Sequence, residues 1–189
     1  MTSHSAVSQF NLHEKAQLMS ASEMERTLLR LAHEIVEKSG GVKDLGLIGI
    51  RRRGVPLAER LGKLMGRIES AEIPVGTLDI TFYRDDLSTL GPRPVVKQSD
   101  IGFDIEDKRI ILVDDVLFTG RTIRAALDAL FAHGRPRRVQ LCVLIDRGHR
   151  ELPIEAAFVG RAVPTTMNEV IEVKLTEIDG MEKVLLVER

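Results

Sequence analysis

The sequence predicts an α/β fold: a doubly wound, mostly parallel central sheet with helices on both faces and a small β hood. Three observations carry this. Ile110-Ile111-Leu112-Val113 is a continuous apolar run that ends in Asp114 and Asp115, then passes through Thr119-Gly120-Arg121-Thr122 into Ile123, Leu127 and Leu130 at helical spacing. Such a run reads as a strand buried on both faces, followed by a turn and a helix start. Further short apolar runs at 45–50 and 139–145 alternate with helical patterns, as parallel strands joined by helical crossovers do. Runs at 156–159, 170–175 and 184–187 have no helical pattern between them, so they are expected to form the hood.

Residues 1–15 are polar and Ser-rich without periodicity, and are expected as a flexible leader before a single domain at 16–189. A helix should start at Ser20 or Ser22 and run to about Lys38, with Met24, Leu28, Leu31 and Ile35 as its apolar stripe and Gly40-Gly41 as its stop. The strand at 45–50 is followed by the turn Arg51-Arg52-Arg53-Gly54, and Pro56 sits near the start of a helix carrying Leu57, Leu61, Leu64 and Met65. Residues 75–83 alternate as a strand does, and 84–99, with Gly91, Pro92 and Pro94, show no helical pattern. The helix at 121–133 ends before Gly134-Arg135-Pro136, which leads into the strand at 139–145.

Composition narrows the function classes. With 189 residues, 43% of them hydrophobic, and a formal net charge of −1, the chain can build a sizeable core and is no polycation. Nucleic-acid binding therefore requires a local basic patch. The single cysteine, Cys142, sits in an apolar run, which excludes an internal disulfide and suggests a buried thiol. No Cys/His pattern suggests a metal site, and no segment has the length of a membrane span or the apolar core of a signal peptide, so the cytoplasm is the expected location.

The junction at 114–122 carries the chemistry. The backbone N–H groups of 119–122 at a helix N-terminus form an anion cradle, and the hydroxyls of Thr119 and Thr122 add donors. Asp114 and Asp115 accept hydrogen bonds, so they suit sugar hydroxyls and a ligand that carries a cation. One end of this site reads phosphate and the other ribose. Arg51, Arg52 and Arg53 follow a strand and precede a helix, a second junction suited to a pyrophosphate, although alone they read equally as a solvated basic turn. Tyr83-Arg84-Asp85-Asp86-Leu87 opens the long loop and fits either a lid bearing Arg84 or a surface hairpin. The strand ending at Ile145-Asp146-Arg147-Gly148 offers backbone groups to a flat base, with Arg147 beside it or paired to Asp146.

The run Asp114-Asp115-Val116-Leu117-Phe118-Thr119-Gly120-Arg121-Thr122 resembles the 5-phosphoribosyl-1-pyrophosphate (PRPP) signature of type I phosphoribosyltransferases. Joined with Asp79-Ile80-Thr81-Phe82-Tyr83-Arg84-Asp85-Asp86-Leu87, Gly134-Arg135-Pro136 and Asp146-Arg147-Gly148-His149-Arg150-Glu151-Leu152-Pro153-Ile154, it is similar to the PyrR family from about Leu18 to the C-terminus. Members of that family are bifunctional pyrimidine operon regulators and uracil phosphoribosyltransferases. The resemblance implies the type I phosphoribosyltransferase fold and the reaction of uracil with PRPP to give UMP and pyrophosphate. It implies Mg²⁺ carried by PRPP rather than held directly by protein side chains.

Asp114, Asp115 and Arg84 become catalytic by this resemblance. Arg52, Arg53, Asp114, Asp115, Val116, Leu117, Phe118, Thr119, Gly120, Arg121 and Thr122 become PRPP-binding, and Arg147 and Ile171 face uracil or UMP. A non-proline cis peptide is expected at Arg52–Arg53. The family's UMP-bound dimer grips a hairpin in the pyrimidine operon leader mRNA and promotes transcription termination. That role points to His33, Arg150 and Arg161 as RNA-binding, with Arg30, Arg137 and Arg138 as phosphate contacts, and to a homodimer or larger assembly that also responds to UTP.

Some positions depart from the family pattern. Leu29 replaces a Thr, Glu155 an Arg, Arg161-Ala162 a Lys-Asn, and Thr166-Met167-Asn168 a more basic or Ser-rich run, while Phe118 for Tyr is mild. Glu155 opposes RNA by charge alone. Two other readings therefore stand beside the first: a uracil or purine-base phosphoribosyltransferase with no RNA role, and an RNA regulator whose PRPP site only senses nucleotides. His33 also reads as an ordinary helix-surface residue.

Overall fold

The computed structural model describes residues 13–85 and 99–188. Residues 1–12 of the expected leader and 86–98 of the expected long loop lie outside the described residues. The chain runs β1 (His13–Ser20), α1 (Ala21–Ser39), β2 (Leu45–Ile50), α2 (Gly54–Glu69) and β3 (Val75–Leu78). It continues through β4 (Arg109–Leu117), α3 (Arg121–Phe131), β5 (Arg138–Asp146), β6 (Phe158–Ala162), β7 (Glu169–Lys174), α4 (Thr176–Asp179) and β8 (Lys183–Glu188).

A five-stranded parallel sheet, in the order β3-β2-β4-β5-β6, forms the centre. Every residue of β2 is buried, which is why its sequence is apolar without alternation. Leu47, Ile111, Val113, Cys142 and Leu144 pack with α1 and α2 on one face. Ile48, Ile50, Ile110, Leu112 and Val143 pack with α3 on the other, so alternate residues of the same strands feed two cores. Burial pushes the Cys142 thiol up to about 12, as expected of an inert core cysteine. Among the described residues, no helix is long and apolar enough to cross a membrane.

A second, antiparallel sheet in the order β1-β8-β7 forms the hood. Its make-up corrects two sequence expectations. The leader was expected to extend to residue 15, yet β1 begins at His13 and pairs with β8. Most of β1 is exposed, so it has no alternating pattern to read, and it is held by its ladder and by Lys15 Nζ at 2.6 Å from Glu169. The run near 156–159 was expected in the hood, but β6 extends the main sheet parallel to β5. Gly160 makes that packing possible: a Cβ there would stand 2.3 Å from the Leu144 carbonyl oxygen.

Local chemistry explains three further differences. Ser20, not Ser22, caps α1, because Glu23 three residues on returns the bond to the Ser20 N–H and closes a capping box. The expected strand 75–83 stops at Leu78, where the Asp79 carboxylate accepts from the Thr81 N–H at 2.9 Å and the Thr81 hydroxyl at 2.6 Å and turns the chain into a short 3-10 helix, Thr81–Tyr83. The cis peptide is Arg51–Arg52, one bond before the expected position. Arg51, the first residue of the turn after β2, donates its N–H to the Leu78 carbonyl of β3 at 3.0 Å.

Glycine at the start of α2 fixes how the two ligand-facing junctions meet. A Cβ on Gly54 would lie 2.3 Å from the Val113 carbonyl oxygen, and one on Gly49 would lie 2.5 Å from the Gly54 carbonyl oxygen. The first turn of α2 therefore rests directly on β4 beside Asp114. Replacing Gly54 with Ala should force these backbones apart and lower the unfolding free energy by about 1–3 kcal/mol, the usual cost of overpacking. A lower urea midpoint with unchanged slope would register it.

Candidate active site

The end of β4 holds the acids. Pairing with β5 continues past them, from Asp114 opposite Val143 to Leu117 opposite Asp146, so both carboxylates belong to the strand itself. Asp114 is 7% exposed, and its Oδ1 accepts from the Asp115 N–H at 2.9 Å. Asp115 is more open, and its Oδ1 accepts from the Val116 N–H at 2.9 Å. Burial raises Asp114 well above the usual carboxylate range, and the neighbouring Asp115 charge pushes the same way. Burial also raises Asp115, while hydrogen bonds from Asp114 and the Val116 N–H and the charge of Arg53 oppose it. Carboxylates so placed favour a cationic partner or dense hydroxyl donors.

Beyond Leu117 the chain bends through Phe118, Thr119 and Gly120 into α3. Gly120 stands at the N-cap with φ +93°, a conformation that favours glycine, and no side chain caps the helix. The loop is backed by the segment after β5. The Thr119 carbonyl accepts from the N–H groups of Glu151 at 2.9 Å and Leu152 at 3.3 Å, and the Phe118 carbonyl accepts from Arg150 Nη1 at 2.8 Å. In a trans peptide the N–H points opposite to the C=O, so these bonds turn the N–H groups of Thr119 and Gly120 away from the backing segment. Arg121 points its side chain outward, to Glu151 and Asp85 at 2.7 Å each, and contributes backbone only.

Facing the acids across a cavity of about 380 Å³ are Arg51, Arg52, Arg53 and Arg84, with Thr122 on the near rim. A larger adjoining cavity of about 700 Å³ shares Arg51, Arg52, Ile80 and Arg84 and extends to Glu177 and Ile178 of the hood. The site thus joins two acids, a phosphate-type helix start and a set of arginines. Of the residues expected from sequence, Arg52, Arg53, Arg84, Asp114, Asp115, Val116 and Thr122 line this cavity, whereas Leu117 is buried in the core and Phe118, Thr119, Gly120 and Arg121 are not part of its lining.

The remaining expected residues fall elsewhere. Arg147 is 5% exposed, its guanidinium carbon stands 3.9 Å from the Phe118 ring centroid, and it donates to Thr165 Oγ1 and to the carbonyls of Thr166 and Glu169. It orders the turn into β7 against the phosphate loop. Ile171 is buried in the hood core. Arg150, besides Phe118, donates to the Ile154 carbonyl at 2.9 Å and to Asp146 at 2.6 Å, so it braces the loop from behind. His33 is exposed on α1. Arg161 pairs with Glu23 and donates to the Leu18 carbonyl, and Arg30 donates to the carbonyls of Val159 and Gly160, so both line the seam of α1 and β6. Arg138 opens β5 and Arg137 precedes it, at the end of the sheet away from the acids.

Sequence reading missed Glu151, Asp85 and Asp179. The first two clamp Arg121, and Asp179 Oδ1 accepts from Arg53 Nη2 at 2.9 Å. Glu151 and Asp85 both lie in motifs read from the sequence, but neither motif shows that its acid pairs with Arg121. Asp179 lies 126 residues from its partner, and nothing in the pattern of either segment links them.

Acids that end a parallel strand, a glycine turn opening a helix, and an arginine junction on the neighbouring strand define a type I phosphoribosyltransferase. Residues 15–177 match the Phosphoribosyl transferase domain family. Bifunctional protein PyrR of Thermus aquaticus is 58% identical over 175 residues, covering 93% of this chain and 97% of that protein. Bifunctional protein PyrR of Chloroflexus aurantiacus is 58% identical over 170 residues, covering 90% and 93%. The chain belongs to the PyrR family of phosphoribosyltransferases. The fold extends further: a hypoxanthine phosphoribosyltransferase from Staphylococcus aureus superposes with a TM-score of 0.70 at 20% identity, covering 93% of this chain and 92% of that one.

Acid burial sets a pH dependence. Because the folded protein holds the Asp114 proton more tightly than the unfolded chain, stability is fully present below the ordinary carboxylate value of 3.8 and is lost as pH rises through the raised folded value. Asp114→Asn should therefore flatten that slope and raise the neutral-pH melting temperature of the free protein by a few degrees, or about 1 kcal/mol. Thermal unfolding across pH checks it; a lower melting temperature for the variant would show that the carboxylate is stabilising instead.

Proposed function

We propose that this chain transfers the phosphoribosyl group of PRPP to uracil, giving UMP and pyrophosphate, and that its UMP-bound form controls pyrimidine operon expression through leader RNA. One observation carries the enzymatic half: Asp114, Asp115 and Thr122, the last in the first turn of α3, line one cavity with Arg51, Arg52, Arg53 and Arg84. In this reading the N–H groups and hydroxyls of Thr119–Thr122 hold the 5-phosphate, and the Asp pair accepts from the ribose hydroxyls. Arg52, Arg53 and Arg84 hold the pyrophosphate and stabilise its charge as the C1–O bond breaks. Uracil N1 then captures the cationic sugar carbon, and the N1 proton leaves with the products. The carboxylates also favour that developing cation by charge, and no protein nucleophile enters the sequence of steps.

Uracil is assigned to the tip of β5, where Gly148 is exposed and Arg147, itself buried, holds the backbone through its bonds to Thr165, Thr166 and Glu169; Ile171 lies in the core behind it. Mg²⁺ arriving with PRPP supplies charge neutralisation at the pyrophosphate. The residues fit it: Asp114 and Asp115 offer the oxygen donors Mg²⁺ takes, too few for a protein cage but suited to steadying the water shell of an ion bound to substrate. Such chemistry belongs in the cytoplasm, where PRPP and nucleotides are found.

The regulatory half assigns RNA to the seam of α1 and β6, with Arg30, His33 and Arg161 facing phosphates and Arg150 at the rim of the nucleotide site, in a homodimer or larger assembly. A second reading, an enzyme without RNA control, is favoured by one observation. Arg30, Arg150 and Arg161 are each engaged by protein acceptors, and Glu155 places negative charge between Arg150 and Arg161 in sequence.

Two measurements test these assignments. Asp114→Ala should reduce PRPP-dependent UMP formation by about a hundredfold or more, because the ribose loses a charged acceptor in a site that works by positioning; activity within a few-fold of wild type would remove the ribose role. Titration of a pyrimidine leader hairpin, with a scrambled hairpin as control at fixed salt, should show selective binding that UMP strengthens by about tenfold. Equal binding of both RNAs with UMP present would leave the enzyme alone.

A further inference from the structure

Arg53 reaches the site from a fixed backbone. It is the N-cap of α2, and the following Gly54 has no space above β4. Its side chain is not fixed by that alone. An arginine has four side-chain torsions and would sample the cavity unless something held its far end. Asp179 does so: Oδ1 accepts from Arg53 Nη2 at 2.9 Å, with the two side chains 28% and 16% exposed. Arg53 in turn acts on Asp115 by charge and lines the cavity between them.

Asp179 is itself held before any ligand arrives. Its Oδ2 accepts from the Leu175 N–H at 2.9 Å, and α4 closes at Gly180 with φ +67°. A second fork secures the same segment to α2: Arg60 donates to both oxygens of Glu177 and both oxygens of Glu182. The hood is thus joined by one ion pair to the arginine loop, at the cavity, and by a second to α2, the helix that follows that loop.

We propose that Asp179 is a positioning residue for the pyrophosphate end of the site: it aims the Arg53 guanidinium across the cavity, and through Arg53 it sets affinity for pyrophosphate-bearing ligands. This rests on the reading of the 51–53 turn as the pyrophosphate loop. The opposite sign is also physically available. A carboxylate beside a pyrophosphate site repels it, so if Asp179 acted by charge alone, neutralising it would tighten binding. Orientation prevails here because the bond is made by a charged donor at the end of a long side chain, so its loss frees the whole arm.

The test compares three ligands in wild type, Asp179→Asn, Asp179→Ala, Arg53→Ala and the double variant. Asp179→Ala should raise the PRPP KM and weaken inhibition by inorganic pyrophosphate by about tenfold, the effect of losing one charge-assisted hydrogen bond. UMP, which has no pyrophosphate, should bind within about twofold of wild type by calorimetry, and kcat should change less than KM. In the Arg53→Ala background, removing Asp179 should add nothing. Asp179→Asn, which keeps an acceptor and the bond to Leu175, should lie between and guards against misfolding of the alanine variant.

Tighter pyrophosphate binding, equal weakening of UMP and pyrophosphate, or additive effects in the double variant would each overturn the proposal. If Arg53→Ala left PRPP and pyrophosphate unaffected, the pyrophosphate-loop reading itself would fail. If Arg53→Ala weakened both while Asp179→Ala did not, only the role of Asp179 would.

Discussion

Two adjacent carboxylates buried at the end of β4 are the constraint around which this molecule is arranged. Removing a carboxylate from water is costly, and placing a second beside it adds repulsion. The protein meets part of that cost with backbone N–H groups and with the charge of Arg53, and leaves the rest to a ligand. The arginines can approach only because Gly49 and Gly54 let α2 rest on the strands without a Cβ between them. In the function proposed above, this unrelieved burial of the acid pair is what a cationic sugar would relieve on binding.

A phosphate loop is useful only if its amides point the right way before the ligand arrives. Here the orientation comes from behind. The segment after β5 pins the carbonyls of Phe118 and Thr119, Arg147 stacks on the Phe118 ring, and Arg121 is clamped between Glu151 and Asp85. Arg147 also bonds the turn that leads into β7, and Glu169 at the start of β7 takes Lys15 from β1. Packing therefore runs continuously from the N-terminal strand through the hood to the phosphate loop.

A hypoxanthine phosphoribosyltransferase shares this fold at 20% identity over 93% of the chain, so the fold survives replacement of most of its side chains. The fold fixes where strand ends and helix starts meet, and what happens there has to be argued from the residues this chain places at that meeting point.

The strand–turn–helix at 109–131 was legible because its information is local: an apolar run, two acids, a glycine turn and a helical stripe lie within one stretch. The Ser20 cap was legible for the same reason, once Glu23 is counted. The family could be read because several such local motifs occur in order. By contrast, β1 shows no periodicity, since most of it is exposed and its stability comes from a ladder with β8 at the other end of the chain. The sheet to which β6 belongs was equally hidden, because a short apolar run fits an edge of either sheet and the contacts that place it, the ladder with β5 and the burial of Phe158, are tertiary.

Sequence alone therefore determined the fold class and the strand–turn–helix that carries the acid pair, whose geometry depends on neighbours along the chain. Tertiary structure alone decided which arginine has its partner in the hood, which guanidiniums brace the loop and which face the cavity. Those choices depend on groups brought together over separations as large as the 126 residues between Arg53 and Asp179, and no local pattern encodes them.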